Sequence, residues 1–229
     1  MATVNHDSSV WGAGGSTIPG STIPGAAIPA AMDENQFEQW VIAAEGVRAE
    51  WVEGEVQLMS PASFDHLSLN GWIFRLLGDY VESRGLGGIV GFDFMIRLGG
   101  GKSRRVPDIF FVAEARRSLI RPTYLDGPPD LAVEIVSQDS QARDWREKYL
   151  EYEASGVREY WIVDPFSSRV EANRLVESTL GEGGKYSRID AVDGKFASAV
   201  LEGFFLRNDW LWATPRSTVG GVLKQMGLG

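Results

Sequence analysis

The sequence predicts an α/β domain, a mixed central β-sheet flanked by helices, entered through an extended N-terminal arm. Three observations carry this. The run Leu131-Ala132-Val133-Glu134-Ile135-Val136 is short, branched and apolar on both faces apart from one acid, as in a sheet strand covered on both sides. It is followed by a helix-length segment that closes at Gly156 and by a second apolar run, Glu159 to Val163; strand, helix and strand at this spacing imply a right-handed parallel crossover. Upstream, short segments joined by glycine-containing turns point to antiparallel pairing, so the sheet is mixed.

The elements follow in order. Residues 1–31 hold the repeat Ser16-Thr17-Ile18-Pro19-Gly20, Ser21-Thr22-Ile23-Pro24-Gly25 and a looser Ala26-Ala27-Ile28-Pro29-Ala30, whose prolines forbid a regular helix and favour extended backbone. This arm is either a mobile leader or a segment that packs on a neighbouring copy through Ile18, Ile23 and Ile28. Asp33 can cap a helix in which Phe37, Trp40, Val41 and Ala44 recur at three- and four-residue spacing. Arg48 to Met59 reads as two strands about a tight turn at Glu53-Gly54. From Ser63, Leu69, Trp72, Ile73, Leu76 and Tyr80 describe one helical face, stopped by Gly85, with His66 in the first turn. Ile89 to Leu98 predicts a strand, Gly99 to Ser103 a connection, and Pro107 to Val112 a second strand in an antiparallel hairpin with the first. After the central strand, Asp139 or Ser140 can cap a helix running through Ala154. Segments from Ser168 to Trp212 read as peripheral strands and a closing cap, and the residues from Thr214 onward are weakly patterned.

With 229 residues, 44% of them hydrophobic, the chain can bury a substantial core, so one domain over 32–229 behind the arm is expected. The lack of cysteine excludes disulfides, zinc thiolates and thiol nucleophiles, leaves oxygen and nitrogen ligands for any catalysis, and fits a reducing cytosol. A net charge of -9 repels nucleic acid at long range unless a local basic face or a bound metal compensates, which counts against high-affinity non-specific DNA binding. No apolar run is long enough for a bilayer and the first residues lack the pattern of a signal peptide, so a cytoplasmic protein without a membrane partner is expected.

The chemistry is carried by acids set in apolar strands. Glu134 must be paired, hydrogen-bonded or metal-bound to offset its desolvation, and Asp108 follows Pro107 at the start of another strand. Lys148, on the next helix, supplies a cation. Hydrolysis of a phosphodiester needs an activated water, charge neutralisation and relief of the leaving oxygen, which magnesium held by carboxylates together with a lysine can supply. Magnesium takes few protein carboxylates plus waters and phosphate, which matches Asp108 and Glu134. Ile135 points away from such a site on a pleated strand.

The Pro-Asp strand, the Glu-bearing strand and the following helix together resemble the PD-(D/E)XK nuclease superfamily. More closely, the block Gly127 to Pro165, GPPDLAVEIVSQDSQARDWREKYLEYEASGVREYWIVDP, is similar to the Uma family of restriction endonucleases. The likeness extends to the Glu50 to Pro61 hairpin, His66 and VPDIFFV, and covers most of residues 45–210. It implies a restriction-endonuclease-like mixed sheet flanked by helices, Mg2+ (or Mn2+) as cofactor, and nucleic acid, DNA foremost, as substrate. Asp108 and Glu134 match the first and second metal-binding acids. The superfamily's lysine, two residues after the second acid, is replaced here by Val136; in the Uma family the lysine comes from the next helix, where Lys148 matches. Glu50 resembles the additional acid that some members bring to the metal. The implied catalytic set is Asp108, Glu134, Lys148 and Glu50.

Plainer readings stand beside these. Asp144 and Lys148, four apart, share a helix face and also make an ordinary exposed ion pair. His66 is a helix-start hydrogen-bonding residue or orients a water or phosphate. Lys102, Arg104 and Arg105 form a solvated loop or a phosphate-steering hairpin. Trp145, Tyr149, Tyr152, Tyr160 and Trp161 read as packing residues. Two rival functions remain at this level: a binding or regulatory module that keeps the nuclease fold without turnover, and a homo-oligomeric assembly, a dimer in its simplest form, joined by the arm.

Overall fold

The computed structural model describes residues 22–23, 26–27, 31–44, 46–91, 93–137, 143–177 and 183–228, the side chains of 22–23, 26–27, 143 and 144 excepted. The arm expected over 1–31, Ile18 and Ile28 included, lies almost wholly outside the described residues; of it, β1 (Thr22–Ile23) and β2 (Ala26–Ala27) pair as a short antiparallel rung.

Asp33 caps α1 (Glu34–Ala43) reciprocally: its carboxylate accepts from the Gln36 N–H at 2.9 Å, and the Gln36 side chain accepts from the Asp33 N–H at 2.8 Å. β3 (Ala49–Val52) and β4 (Glu55–Leu58) form the expected hairpin, with Glu53 and Gly54 both at positive φ (47° and 101°), as a two-residue turn of the favoured twist requires. Ser63 caps α2 (Phe64–Arg84), and Gly85 closes it in the left-handed conformation at φ 60°. The face Leu69, Ile73, Leu76 and Tyr80 is buried as its spacing predicts; each such side chain contributes roughly 1.5–3 kcal/mol by leaving water, so α2 is firmly anchored.

The strand expected over 89–98 is divided. β5 (Gly87–Gly91) and β6 (Met95–Leu98) are separated at Asp93, whose φ of 71° turns the backbone out of the extended region. β6 pairs with β7 (Ser103–Arg105), and β5 pairs antiparallel with β8 (Ile109–Ala113), so the predicted hairpin holds for its first half only. A 3-10 turn over Glu114–Leu119 leads to β9 (Tyr124–Asp126), parallel to β6. β10 (Leu131–Ile135) follows, buried at all five positions. A π-helical turn (Arg143–Glu147) leads to α3 (Lys148–Ser155), closed by Gly156, and β11 (Glu159–Asp164) runs parallel to β10. β12 (Arg169–Glu177) and β13 (Gly184–Ile189) extend the same sheet, β13 forming its outer edge as the expected peripheral strands do, while β12 pairs directly with β11. β14 (Lys195–Ala197), β15 (Phe205–Arg207), α4 (Asn208–Trp212) and α5 (Val219–Gln225) complete the chain; the weakly patterned C-terminus forms α5, which buries Val219 and Val222 in the α2 core.

The larger sheet is mixed, in the order β13-β12-β11-β10-β8-β5, and a five-stranded sheet runs β4-β3-β7-β6-β9. Leu131, Val133 and Ile135 point into the α2 core, while Ala132 and Val136 join Tyr152 and Tyr160 on the α3 side. The two-residue pleat therefore turns Glu134 toward α3. Val133 lies opposite Ile109 in the β8 pairing, which brings Glu134 alongside Asp108. No helix among the described residues is long and apolar enough to cross a membrane.

Candidate active site: a cleft with two carboxylates and a buried lysine

An open cleft of about 620 Å³ lies where α2, β8, β10 and α3 meet, and Asp108, Glu134, Lys148 and His66 all line it. Lys148 is the first residue of α3 and is only 3% exposed. Its ammonium is 2.9 Å from Glu134 Oε1 and 3.4 Å from Glu50 Oε1. Glu134 Oε1 also accepts from the Tyr152 hydroxyl at 2.8 Å. Burial and then the neighbouring charges of Glu134 and Glu50 push the Tyr152 hydroxyl well above its usual range, so it stays a proton donor.

Behind Lys148, Glu50 is fully buried. Its Oε1 accepts from the Val106 N–H at 3.0 Å and its Oε2 from Arg105 Nη1 at 2.9 Å. Burial alone would raise this carboxyl; Lys148, Arg105 and the Val106 N–H overcome it and hold the group at about 2, below its ordinary 4.5. On the cleft's other side, Asp108 Oδ2 accepts from the Ile135 N–H at 2.7 Å, and Oδ1 is 3.0 Å from His66 Nε2. Ser63 sets that histidine by accepting from the His66 N–H at 3.2 Å as α2 begins.

Comparisons with known proteins bear on the family and the fold. A family model, Uma2, described as "Putative restriction endonuclease", matches residues 34–202. The chain belongs to this family. Among solved structures, a crystal structure of a "putative nuclease belonging to DUF820" from Anabaena variabilis ATCC 29413 superposes with a TM-score of 0.63 at 16% identity, covering 79% of this chain and 97% of that one. At that identity the likeness is one of fold. No curated protein matches.

Within this Uma2 fold, the expected residues divide. Asp108, Glu134 and Lys148 meet on one cleft, with His66 hydrogen-bonded to Asp108. Val136, at the superfamily's lysine position, is buried on the α3 side and packs with Tyr152 and Ile162, so the cation arrives from α3. Glu50 joins the cluster from behind: with no exposed surface it anchors Lys148 and Arg105 and does not line the cleft. The steering role expected for Arg104 and Arg105 does not hold, nor does the solvated loop. They lie in β7, 3% and 2% exposed; Arg104 pairs with Glu34 and Glu38 and stacks on Tyr124, and Arg105 pairs with Glu50 and Glu151. A buried guanidinium keeps its place only with such carboxylate partners. Lys102 is exposed in the turn before β7, away from the cleft wall. Asp144 falls in the π-helical turn, and its side chain, with the face it was expected to share with Lys148, lies outside those described.

Two site residues were not singled out from the sequence. Tyr152 reads as packing, yet lies four residues after Lys148 and bonds the same carboxylate; Asn70 lines the cleft four residues after His66. In both cases the signal was the helical repeat from a residue already suspected.

No cluster of three or more His, Cys, Asp or Glu side chains arranged to hold a metal occurs among the described residues. The two carboxylates on the cleft wall nonetheless suit magnesium, which needs few protein oxygens and completes its octahedron with water and phosphate. A carboxylate offers about four acceptor sites, so the bonds already made at Asp108 and Glu134 leave them able to serve as ligands.

Proposed function

We propose that the cleft is the active site of a metal-dependent endonuclease that hydrolyses phosphodiester bonds of nucleic acid, DNA foremost. One observation carries the reading: acids and a lysine remote in sequence, Asp108, Glu134 and Lys148, line a single open cleft, with the ammonium 2.9 Å from Glu134. Asp108 and Glu134 would hold Mg2+ (or Mn2+). When bound, the ion supplies charge neutralisation at the phosphate and a more acidic water. Lys148, fixed by Glu134 and Glu50, aims positive charge at the developing negative charge without moving, so little reorganisation is needed as the reaction proceeds. Tyr152 holds Glu134 and His66 holds Asp108 in orientation. In this reading residues 32–229 are one domain, and the protein is a dimer in the cytoplasm.

The test is cleavage of plasmid DNA by the purified full chain with Mg2+, Mn2+ or EDTA. Cleavage should require the metal and disappear in Asp108→Ala and Glu134→Ala, each with an unchanged far-UV spectrum. Cleavage that persists in both variants sinks the proposal.

A further inference from the structure

The wall of this cleft carries exposed apolar side chains among its polar ones, where a groove for duplex nucleic acid is ordinarily basic. Leu58, Leu67 and Phe166 line it while remaining 39%, 53% and 54% exposed, and Phe64, three residues before Leu67 on the same face of α2, is 83% exposed. Phe166 is held in place: Asp164 accepts from the Phe166 N–H at 2.8 Å and from the Ser167 N–H and hydroxyl at 3.3 and 2.8 Å, which fixes the turn presenting the ring. Deeper in the wall, Asn70 is 5% exposed and its Oδ1 is buried with no hydrogen-bond partner among the described residues. A buried polar atom left in that state favours a ligand that brings it a partner.

The cations on the cleft wall are already engaged. Among the described residues these are Arg48, paired with Asp93, and Lys148, paired with Glu134 and Glu50. Duplex turns only phosphates and groove edges outward and would need free lysines and arginines, none of which lines the cleft among the described residues, whereas an unpaired strand also presents its base faces. Exposed apolar side chains beside the carboxylates suit unstacked bases, whose faces lie on such surfaces whatever their sequence. An entirely apolar occupant would leave Asn70 unsatisfied, whereas a base edge or sugar hydroxyl would not.

We propose that the cleft takes an unpaired strand of nucleic acid, its bases lying on Leu58, Phe64, Leu67 and Phe166 and one polar group bonding to Asn70. The inference rests on the nuclease reading and narrows its substrate to single-stranded or locally melted nucleic acid.

The experiment is fluorescence anisotropy of the full chain with a short fluorescein-labelled oligodeoxynucleotide, as a single strand and as a duplex, in EDTA, followed by cleavage of both with Mg2+. The single strand should bind about tenfold or more tighter than the duplex, and Phe64→Ser/Phe166→Ser should lose about tenfold or more of that affinity. Both rings are exposed, so this variant keeps its fold; Asn70→Ala, which is buried, is read only alongside its far-UV spectrum and should weaken single-strand binding several-fold. Metal-dependent cleavage with preference for duplex, unchanged in the double variant, overturns this inference and leaves the nuclease reading standing. Neither binding nor cleavage of either form overturns both. If the double variant instead converts a sedimenting dimer to monomer at unchanged affinity, the mouth is a contact between copies and the inference is likewise overturned.

Discussion

Glu134 on β10 and Glu159 on β11 are buried acids on adjacent strands of one sheet, yet only the first faces a cleft. Glu134 meets a lysine and a tyrosine; Glu159, toward the other end and on the opposite face, accepts from the Ser198 hydroxyl at 3.0 Å, the Ala199 and Val200 N–H groups at 2.7 and 2.9 Å, and the Trp161 ring N–H. These donors are neutral. Burial pushes the Glu159 carboxyl up and its hydrogen bonds only partly oppose that, whereas Lys148 and Arg105 pull Glu50, beside Glu134, down to about 2. A buried acid is thus no sign of chemistry by itself. Glu159 pins the 198–200 segment to the sheet, while the Glu134 cluster holds a cation at the wall of an open cleft.

The comparison breaks most sharply at Lys148. Lys148→Ala leaves Glu134 and Glu50 buried with less compensation and should cost about 3–5 kcal/mol in urea unfolding as well as activity; a loss below about 1 kcal/mol would mean the cluster is solvated. If the proposed function holds, Glu134→Gln should lower kcat by about 10²- to 10³-fold, since the proposed metal ligand loses its charge, and should shift the unfolding midpoint much less. Glu159→Gln should do the reverse: kcat unchanged, and stability lowered by about 1–3 kcal/mol because the new amide N–H₂ faces donors.

The pH dependence sharpens the contrast through its sign. Glu50 has a depressed carboxyl, so its contribution is complete above about 4.5 and is lost as pH falls toward 2, a change on the order of 3 kcal/mol that Glu50→Gln should remove from the acid limb. Glu159 is raised, so its contribution is complete below its unfolded value and is lost as pH rises through the higher folded one. Stability curves of the two variants minus the parent should slope in opposite directions. The smallest effect belongs to Tyr152→Phe, about 1 kcal/mol in stability and less than tenfold in kcat, because Lys148 still holds Glu134.

Much of this is legible in the chain. Capping by Asp33 and Ser63, the closures at Gly85 and Gly156, the Glu53-Gly54 turn and the apolar run at β10 are local signals, set by a few neighbouring residues, and the structure agrees with each. The break at Asp93, the π-helical turn before Lys148 and α5 were not legible. The first two depend on a single backbone angle or turn, and α5 gains its apolar face only against α2. The site divides the same way: Asp108 and Glu134 stand out as acids in apolar strands, but Arg104 and Arg105 look solvated in sequence because their carboxylate partners on α1, β3 and α3 lie far along the chain.

By itself, then, the sequence determined the fold class, the family and the candidate acids, because those rest on local periodicity, caps and one long specific block. Only the tertiary structure decided which charges are spent on one another and which face the cleft. Glu50 and Arg105 disappear into ion pairs, Lys148 is clamped at the wall, and Asn70 Oδ1 is left without a partner among the described residues. The reason is physical: the energy of a buried charge depends on what lies within a few ångströms of it, and those neighbours come from strands and helices that meet only on folding.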